Sequence, residues 1–526
     1  MKSFIYIKLI FILILAITVV SCNKDLSETE DLTPLSPANI DTDAKDWLPI
    51  EAGTMTVTKI TVPVPLATTD PSYVAELTTI KDLQSKLTSD QQKVIEYWGA
   101  GGVIRWNQIM RKLVAQYSLA PAPRDDGSYI YPDAENPFAD PQFPFASPPY
   151  AARAYSYVCV AQYEALKSAW YYKDFYKRPA PYTVDNTIQA LVPKTDLFAY
   201  PSEDAVLSGV TVELLKALFP AAVEEITLSA ADQRNAALWS GKASTSDISA
   251  GLSLGKSVAA LYLTRAKGDG MSKAIGTKAQ WAVLADSAKL HYSKIGVDAT
   301  NEIFWKSLDV PARPPMLPFF GNVATWIVTR PDLVSERPGS PPSTSSELMK
   351  TELAEVKSVS ENLTRDQLAI VHKWADGGGT YTPPGHWNDI AAEHIRDANF
   401  SEVRAARAFA LLNLAMHNAA VGCWDAKYYW FNPRPSQLDP SIKTATGLPN
   451  FPSFTSGHST FSASAGSILS YLFPGSANEF SMDVEEAAIS RLYGSIHFRS
   501  DIEVGKTHGV ALADHVINFA LTDGAD

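Results

Sequence analysis

The strongest constraint on the fold is the stretch 403–424, VRAARAFALLNLAMHNAAVGCW, rich in Ala and Leu with no Gly or Pro until Gly422. A run that is apolar nearly all round predicts a central, buried helix. Arg404, Arg407, Asn413, His417 and Asn418 inside it argue against a membrane span. The pattern occurs once before, over 153–172. Arg153-Ala154 precedes Trp170 and Lys173 at the same spacing by which Arg407-Ala408 precedes Trp424 and Lys427.

The matches continue in order. Tyr200-Pro201-Ser202 answers Phe451-Pro452-Ser453, and Leu218-Phe219-Pro220 answers Leu472-Phe473-Pro474. Leu254-Gly255-Lys256-Ser257 answers Val504-Gly505-Lys506-Thr507. Upstream, Trp98, Gly101-Gly102 and Trp106-Asn107 answer Trp374, Gly377-Gly378 and Trp387-Asn388. An ordered series of this kind predicts an internal duplication. Further helices are expected at 459–472, 483–497 and 503–522, and no strong alternating strand pattern appears. The expected architecture is therefore all-α: two helical bundles over 51–300 and 351–526, joined by a Pro-rich connection at 301–350.

Of 526 residues 46% are hydrophobic, which supplies ample core. A formal net charge of −12 leaves no basic footprint, so nucleic acid is not an expected partner. At the N-terminus, Lys2 and Lys8 precede an apolar run from Leu9 to Val20. That run is shorter than the ~20 residues of a membrane span and reads as a secretory signal over 1–21. Val19-Val20-Ser21-Cys22 resembles a bacterial lipobox, which implies cleavage before Cys22 and its lipidation. Residues 22–50 are polar and read as a tether. The chain is then expected to be exported and lipid-anchored to the cell envelope, touching membrane through the anchor alone. Cys159 and Cys423 lie in apolar helical contexts, where buried free thiols are the expectation.

The histidines break the internal symmetry, because only His291 precedes residue 350. Three clusters in the second half carry chemistry. The first is Lys427 and Arg434-Pro435, with six residues between the lysine and the arginine; the second is Ser456-Gly457-His458; the third is Ser490-Arg491 followed by His497 and Asp501. A tetrahedral oxyanion needs several donors and positive charge when buried. Arg434 and Arg491 offer forked donors, and Lys427 offers a point charge. Ser456 and Gly457 sit just before a helical run, where a hydroxyl and free backbone N–H groups favour an anion. Asp501 can orient the His497 ring, leaving His458 as general acid or base. On the register of the repeat, His458 falls opposite Val206–Ser208, His497 opposite Asp247 and Asp501 opposite Gly251. Trp424, Phe451 and Tyr381 lie near the clusters as core or pocket residues, and His386 reads as a structural loop residue.

The order KxxxxxxRP, SGH, SRxxxxxHxxxD resembles the signature shared by type 2 phosphatidic acid phosphatases and vanadium-dependent haloperoxidases. Lys427, Arg434, Pro435, Ser456, Gly457, His458, Ser490, Arg491, His497 and Asp501 match it, and Thr455 departs from it where proline is usual. TYTPPGHWN at 380–388 extends the likeness toward bacterial haloperoxidase-like proteins. The resemblance implies vanadate ligated by His497 and held by Lys427, Arg434, Ser456, Gly457 and Arg491, with peroxide and halide as substrates. The alternative it implies is a soluble acid phosphatase acting on phosphate esters without a cofactor, with His497 as nucleophile and His458 as acid. Size, acidity and Trp content also suit a glycan-binding surface lipoprotein, but sugar binding needs none of the three clusters.

Overall fold

The computed structural model describes residues 32–50, 60–119, 123–129 and 148–525. Its first helices are α1 (Pro71–Gln84), α2 (Ser89–Gly99), α3 (Gly102–Tyr117) and α4 (Pro148–Tyr176). They are followed by α5 (Pro181–Val184), α6 (Glu203–Leu218), α7 (Val223–Trp239) and α8 (Thr245–Gly268). Two connecting helices, α9 (Lys278–Lys294) and α10 (Arg330–Ser335), come next. The second series is α11 (Glu347–Glu361), α12 (Arg365–Lys373), α13 (Thr382–Asp397) and α14 (Glu402–Trp430). It ends with α15 (Pro435–Leu438), α16 (Gly457–Leu472), α17 (Ala477–Tyr493) and α18 (Arg499–Ala520). Among the described residues there is no β-strand, so the all-α expectation holds. Nor is any described helix long and apolar enough to cross a membrane.

Helix order and length run twice. The long helices α4 and α14 have 29 residues each, α6 and α16 have 16, and α7 and α17 have 17. Residues from Pro34 onward form one compact unit, with α4 packed along α14 at its centre. Helix α14 starts where Ser401 accepts from the Arg404 N–H, leaving an N-cap hydroxyl at the first turn. It ends at Phe431, whose left-handed backbone (φ +52°) turns the chain before Pro433 and Pro435 can interrupt it. Every residue from Ala405 to Trp424 is buried, as a helix apolar on all sides requires.

Helix α8 lies close against α6, and α18 likewise against α16. A Cβ at Gly251 would collide with the Ser202 carbonyl, and one at Gly505 would crowd the Ser456 carbonyl at 3.0 Å. The missing side chains let α8 seat on α6 and α18 on α16. That approach carries Asp501, in the first turn of α18, to the N-terminus of α16.

The tether reading needs correction over the described part of 22–50. Residues 34–50 are docked, because they carry specific anchors. Asp41 is buried and accepts from Arg404 Nη2 at 2.6 Å. Trp47 is buried and stacks on Tyr163, and the Ile50 N–H donates to Glu164 at 2.6 Å. The signal sequence and Cys22 lie outside the described residues. Cys159 and Cys423 are buried and free.

Candidate active site

Each signature residue is delivered by a separate element. Lys427 comes from the last turn of α14, and Arg434 is the residue before α15. Ser456 caps α16 and accepts from the Ser459 N–H at 3.3 Å, leaving Gly457 and His458 in the first turn. Arg491 is in the last turn of α17. His497 lies in the turn before α18 rather than inside the helix expected over 483–497.

His497 and Asp501 are bonded, Nδ1 to Oδ2, at 2.9 Å. The same carboxylate oxygen accepts from the Phe498 N–H at 3.0 Å and from the Ser453 hydroxyl at 2.5 Å. This network assigns the ring proton to Nδ1, which donates to Asp501. Nε2 is then an acceptor, and Arg434 Nη1 donates to it at 3.0 Å. The guanidinium is fixed by further bonds from Nη1 to the Ile496 carbonyl at 2.8 Å and from Nε to the Phe451 carbonyl at 3.1 Å. Arg491 donates from Nη2 to the Trp374 carbonyl at 2.6 Å.

Gly457, His458, Arg491 and His497 line one cleft of about 350 Å³, with Trp424 and Phe451 beside them. The structure thus brings these four predicted residues to one wall, and Arg434 joins them through His497. Ser456 stands behind the lining and holds the turn, its N–H donating to the Asp501 carbonyl at 2.9 Å. Lys427 departs from the expected oxyanion contact. Its ammonium donates to the carbonyls of Pro452, Ser453 and Thr455 at 2.9, 2.9 and 2.5 Å. An ammonium has three protons, so its hydrogen bonds are all used in shaping this segment, and it reaches the cleft through its charge. Tyr381 does not line the cleft.

Burial sets the electrostatics. It pulls Lys427 down to about 7, and Arg434 and Arg491 down to about 10. The guanidiniums stay protonated near neutral pH, and the shifts show how poorly their charges are solvated. His497 is pushed well below its ordinary value by burial and then by Arg434, so its ring is neutral with a lone pair at Nε2. His458 is lowered by burial and then by Arg491. Three buried cations face two acidic side chains, Asp501 and Asp376, and the remaining charge favours an anion. Asp376 lies between α12 and α13 and lines the cleft with Oδ2 4.0 Å from His458 Nε2. Neither Asp376 nor Ser453 was singled out as a site residue; the matched Trp374…Gly377-Gly378 segment was the available signal for the former.

The first half corrects the register of the repeat. Ser202 caps α6 as Ser456 caps α16, and its N–H donates to the Asp247 carbonyl as that of Ser456 donates to Asp501. Asp247 therefore stands where Asp501 does, Ala243 where His497 does, and Asp204 where His458 does. Leu218-Phe219-Pro220 and Leu472-Phe473-Pro474 already stand in this register, whereas the match of 254–257 with 504–507 is one helical turn out, because glycine recurs at every fourth position, at Gly251 and Gly255 and at Gly505 and Gly509. Arg178 keeps its ion pair with Asp247 at 3.4 Å, as a counterpart of Arg434. The acid at 204 pairs with Lys242 at 2.8 Å.

Comparison with known proteins bears on the fold. The chain resembles a crystal structure of "the first bacterial vanadium dependant iodoperoxidase" at 24% identity and TM-score 0.54, covering 79% of this chain and 96% of that one. It resembles a holo-type bacterial vanadium-dependent chloroperoxidase at 14% identity and TM-score 0.50, covering 74% and 96%. These likenesses establish the fold. No curated protein matches the chain. The sequence model of the PAP2 superfamily matches residues 408–523, the segment that contains every signature residue from Lys427 to Asp501. The superfamily resemblance read from the motifs therefore holds over this segment.

Proposed function

We propose that the protein is a vanadium-dependent haloperoxidase-type enzyme. The observation that carries the reading is a neutral His497, held by Asp501, presenting Nε2 to a cleft with uncompensated positive charge. The fold likeness to an iodoperoxidase and a chloroperoxidase supports it over the other chemistry of the superfamily.

The residues present fit vanadate. A Cβ at Gly457 would meet nothing nearer than 3.9 Å, so the first turn of α16 leaves a cradle open beside its backbone N–H groups. His458 Nε2 is buried without a hydrogen-bond partner at the same wall. His497 would ligate the metal, and Arg434, Arg491 and the N-terminus of α16 would hold its oxygens. Lys427 would add charge from behind. When bound, vanadate supplies an electrophilic oxygen drawn from hydrogen peroxide, so that peroxide, halide and one proton give hypohalous acid and water. Asp501 keeps the proton on Nδ1 and so leaves Nε2 unprotonated, an acceptor. Arg434 and Arg491 stabilise oxygen charge as it develops. His458, in the same cleft, would supply the proton.

A soluble acid phosphatase is the second reading, supported by the same cage, by a basic Nε2 able to attack phosphorus, and by His458 placed to protonate a leaving oxygen. Two assays separate the readings. Halide oxidation by peroxide that depends on vanadate loading supports the first, whereas ester hydrolysis inhibited by vanadate supports the second. His497→Ala should abolish whichever activity is present; full activity in that variant would end both readings. We also propose export and envelope anchoring through Cys22, for which palmitate labelling of the whole chain should vanish in Cys22→Ala.

A further inference from the structure

We propose that His386 and Asp376 form a proton relay that recharges His458 from solvent. The proposal rests on the reading that His458 donates a proton in the cleft, and it serves either superfamily chemistry, because each turnover uses a proton there.

Sequence reasoning made His386 a structural loop residue, but it stands in the first turns of α13 with its ring bonded to an acid. Its Nδ1 is 3.2 Å from both carboxylate oxygens of Asp376. One of these oxygens, Oδ2, is also 4.0 Å from His458 Nε2, the atom that has no hydrogen-bond partner. Asp376 and His458 line the cleft, whereas His386 does not. His386 keeps 14% of its side chain exposed and Asp376 6%, so His386 gives the acid a contact with solvent besides the cleft that the 16%-exposed His458 lines.

The arrangement is held from several directions. The His386 ring stacks on Trp374 with centroids 4.3 Å apart. Asp376 takes a left-handed backbone (φ +44°), a conformation acidic residues adopt more readily than most, and this directs the loop over the cleft. The other charged groups acting on His458 are Arg491 from α17 and Lys427 from α14, both cationic. Among these neighbours Asp376 is therefore the acid able to hold a proton for transfer to His458.

In the transfer, the N–H bond at His386 Nδ1 breaks as an O–H bond forms on Asp376. That O–H breaks as an N–H forms at His458 Nε2, after a side-chain shift or through one bridging water closes the 4.0 Å gap. The donating ring is the imidazolium, so losing the Nδ1 proton leaves it neutral with its other proton on Nε2, and the next proton from solvent returns to Nδ1. Both relay groups act through His458 and are positioning residues rather than catalytic ones.

The test compares His386→Phe, which keeps a ring to stack on Trp374, with His386→Gln, which keeps polarity without the ring. Both should lower kcat about tenfold in dilute buffer, leave KM within twofold, and raise the solvent deuterium isotope effect. Added imidazole should restore kcat in both variants and do little for the wild type. Wild-type rates in His386→Phe, or losses that no small acid rescues, would overturn the relay while leaving the proposed function standing. A wild-type protein inactive in both halide oxidation and ester hydrolysis would instead overturn the function, and the relay with it.

Discussion

Asn107 and Asn388 meet in the buried interior, the Nδ2 of Asn107 donating to the Oδ1 of Asn388 at 2.8 Å. They occupy matching places in the two Trp-Asn pairs, so positions related by the repeat are in direct contact. Asn388 also donates to the Pro384 carbonyl at 2.7 Å and to Asn413 at 2.8 Å. Replacing it by leucine strands three partners in an apolar setting. Asn388→Leu should lose about 3 kcal/mol of stability in urea unfolding. A change below about 1 kcal/mol would show that the network is dispensable.

Gly457 offers a case in which stability and binding should part. Its added Cβ has room in the fold, and alanine is the better helix former, so Gly457→Ala should unfold no earlier than wild type. The same methyl intrudes where an oxyanion would sit. Vanadate affinity measured by calorimetry should fall about tenfold or more. Unchanged affinity would place the anion elsewhere.

Lys427 links charge to pH. Burial brings its ammonium to about 7, so above that value binding an anion should draw a proton onto it. Calorimetry at pH 8 in buffers of different ionisation enthalpy should show proton uptake on vanadate binding. Lys427→Met should abolish the uptake and lose about 3 kcal/mol of stability through the three abandoned carbonyls. The idea fails if uptake persists in the variant.

Glu402 gives a pH effect remote from the cleft. It is buried and accepts from the N–H groups of Gly102 and Val103 at 2.5 and 3.0 Å. Burial raises its carboxyl from 4.5 to about 7, so within that window the folded chain holds a proton that the unfolded chain releases. Its contribution to stability should therefore fall as pH rises from 4.5 to 7. Glu402→Gln removes the titration. Its stability relative to wild type should rise by about 2–3 kcal/mol across the window in urea unfolding at the two ends.

The long helices and their order were legible because composition, repeat and signature all pointed the same way. The positions of His458, Arg491 and His497 followed from a motif whose chemistry requires convergence. What was hidden has specific causes. Glycines spaced one turn apart permit two registers, and the Ser202 and Ser456 caps decide between them. Lys427 looked like an anion ligand because spacing reveals its place but not the three carbonyls around it. Asp376 and His386 are joined by folding across ten residues, and neither belongs to the signature. Residues 34–50 are polar enough to pass for a tether, yet Asp41 and Trp47 lock them down through partners far along the chain.

That docked segment fixes the orientation of the molecule with respect to its ends. Arg404 grips Asp41 and also donates to the Ala525 carbonyl at 3.0 Å, so both extremities of the folded unit are gathered at the start of α14. Lys427 lies 23 residues further along the same helix, roughly 35 Å away. An attachment made at Asp41 or at Ala525 would therefore meet the protein about one helix length from the Lys427 end of α14.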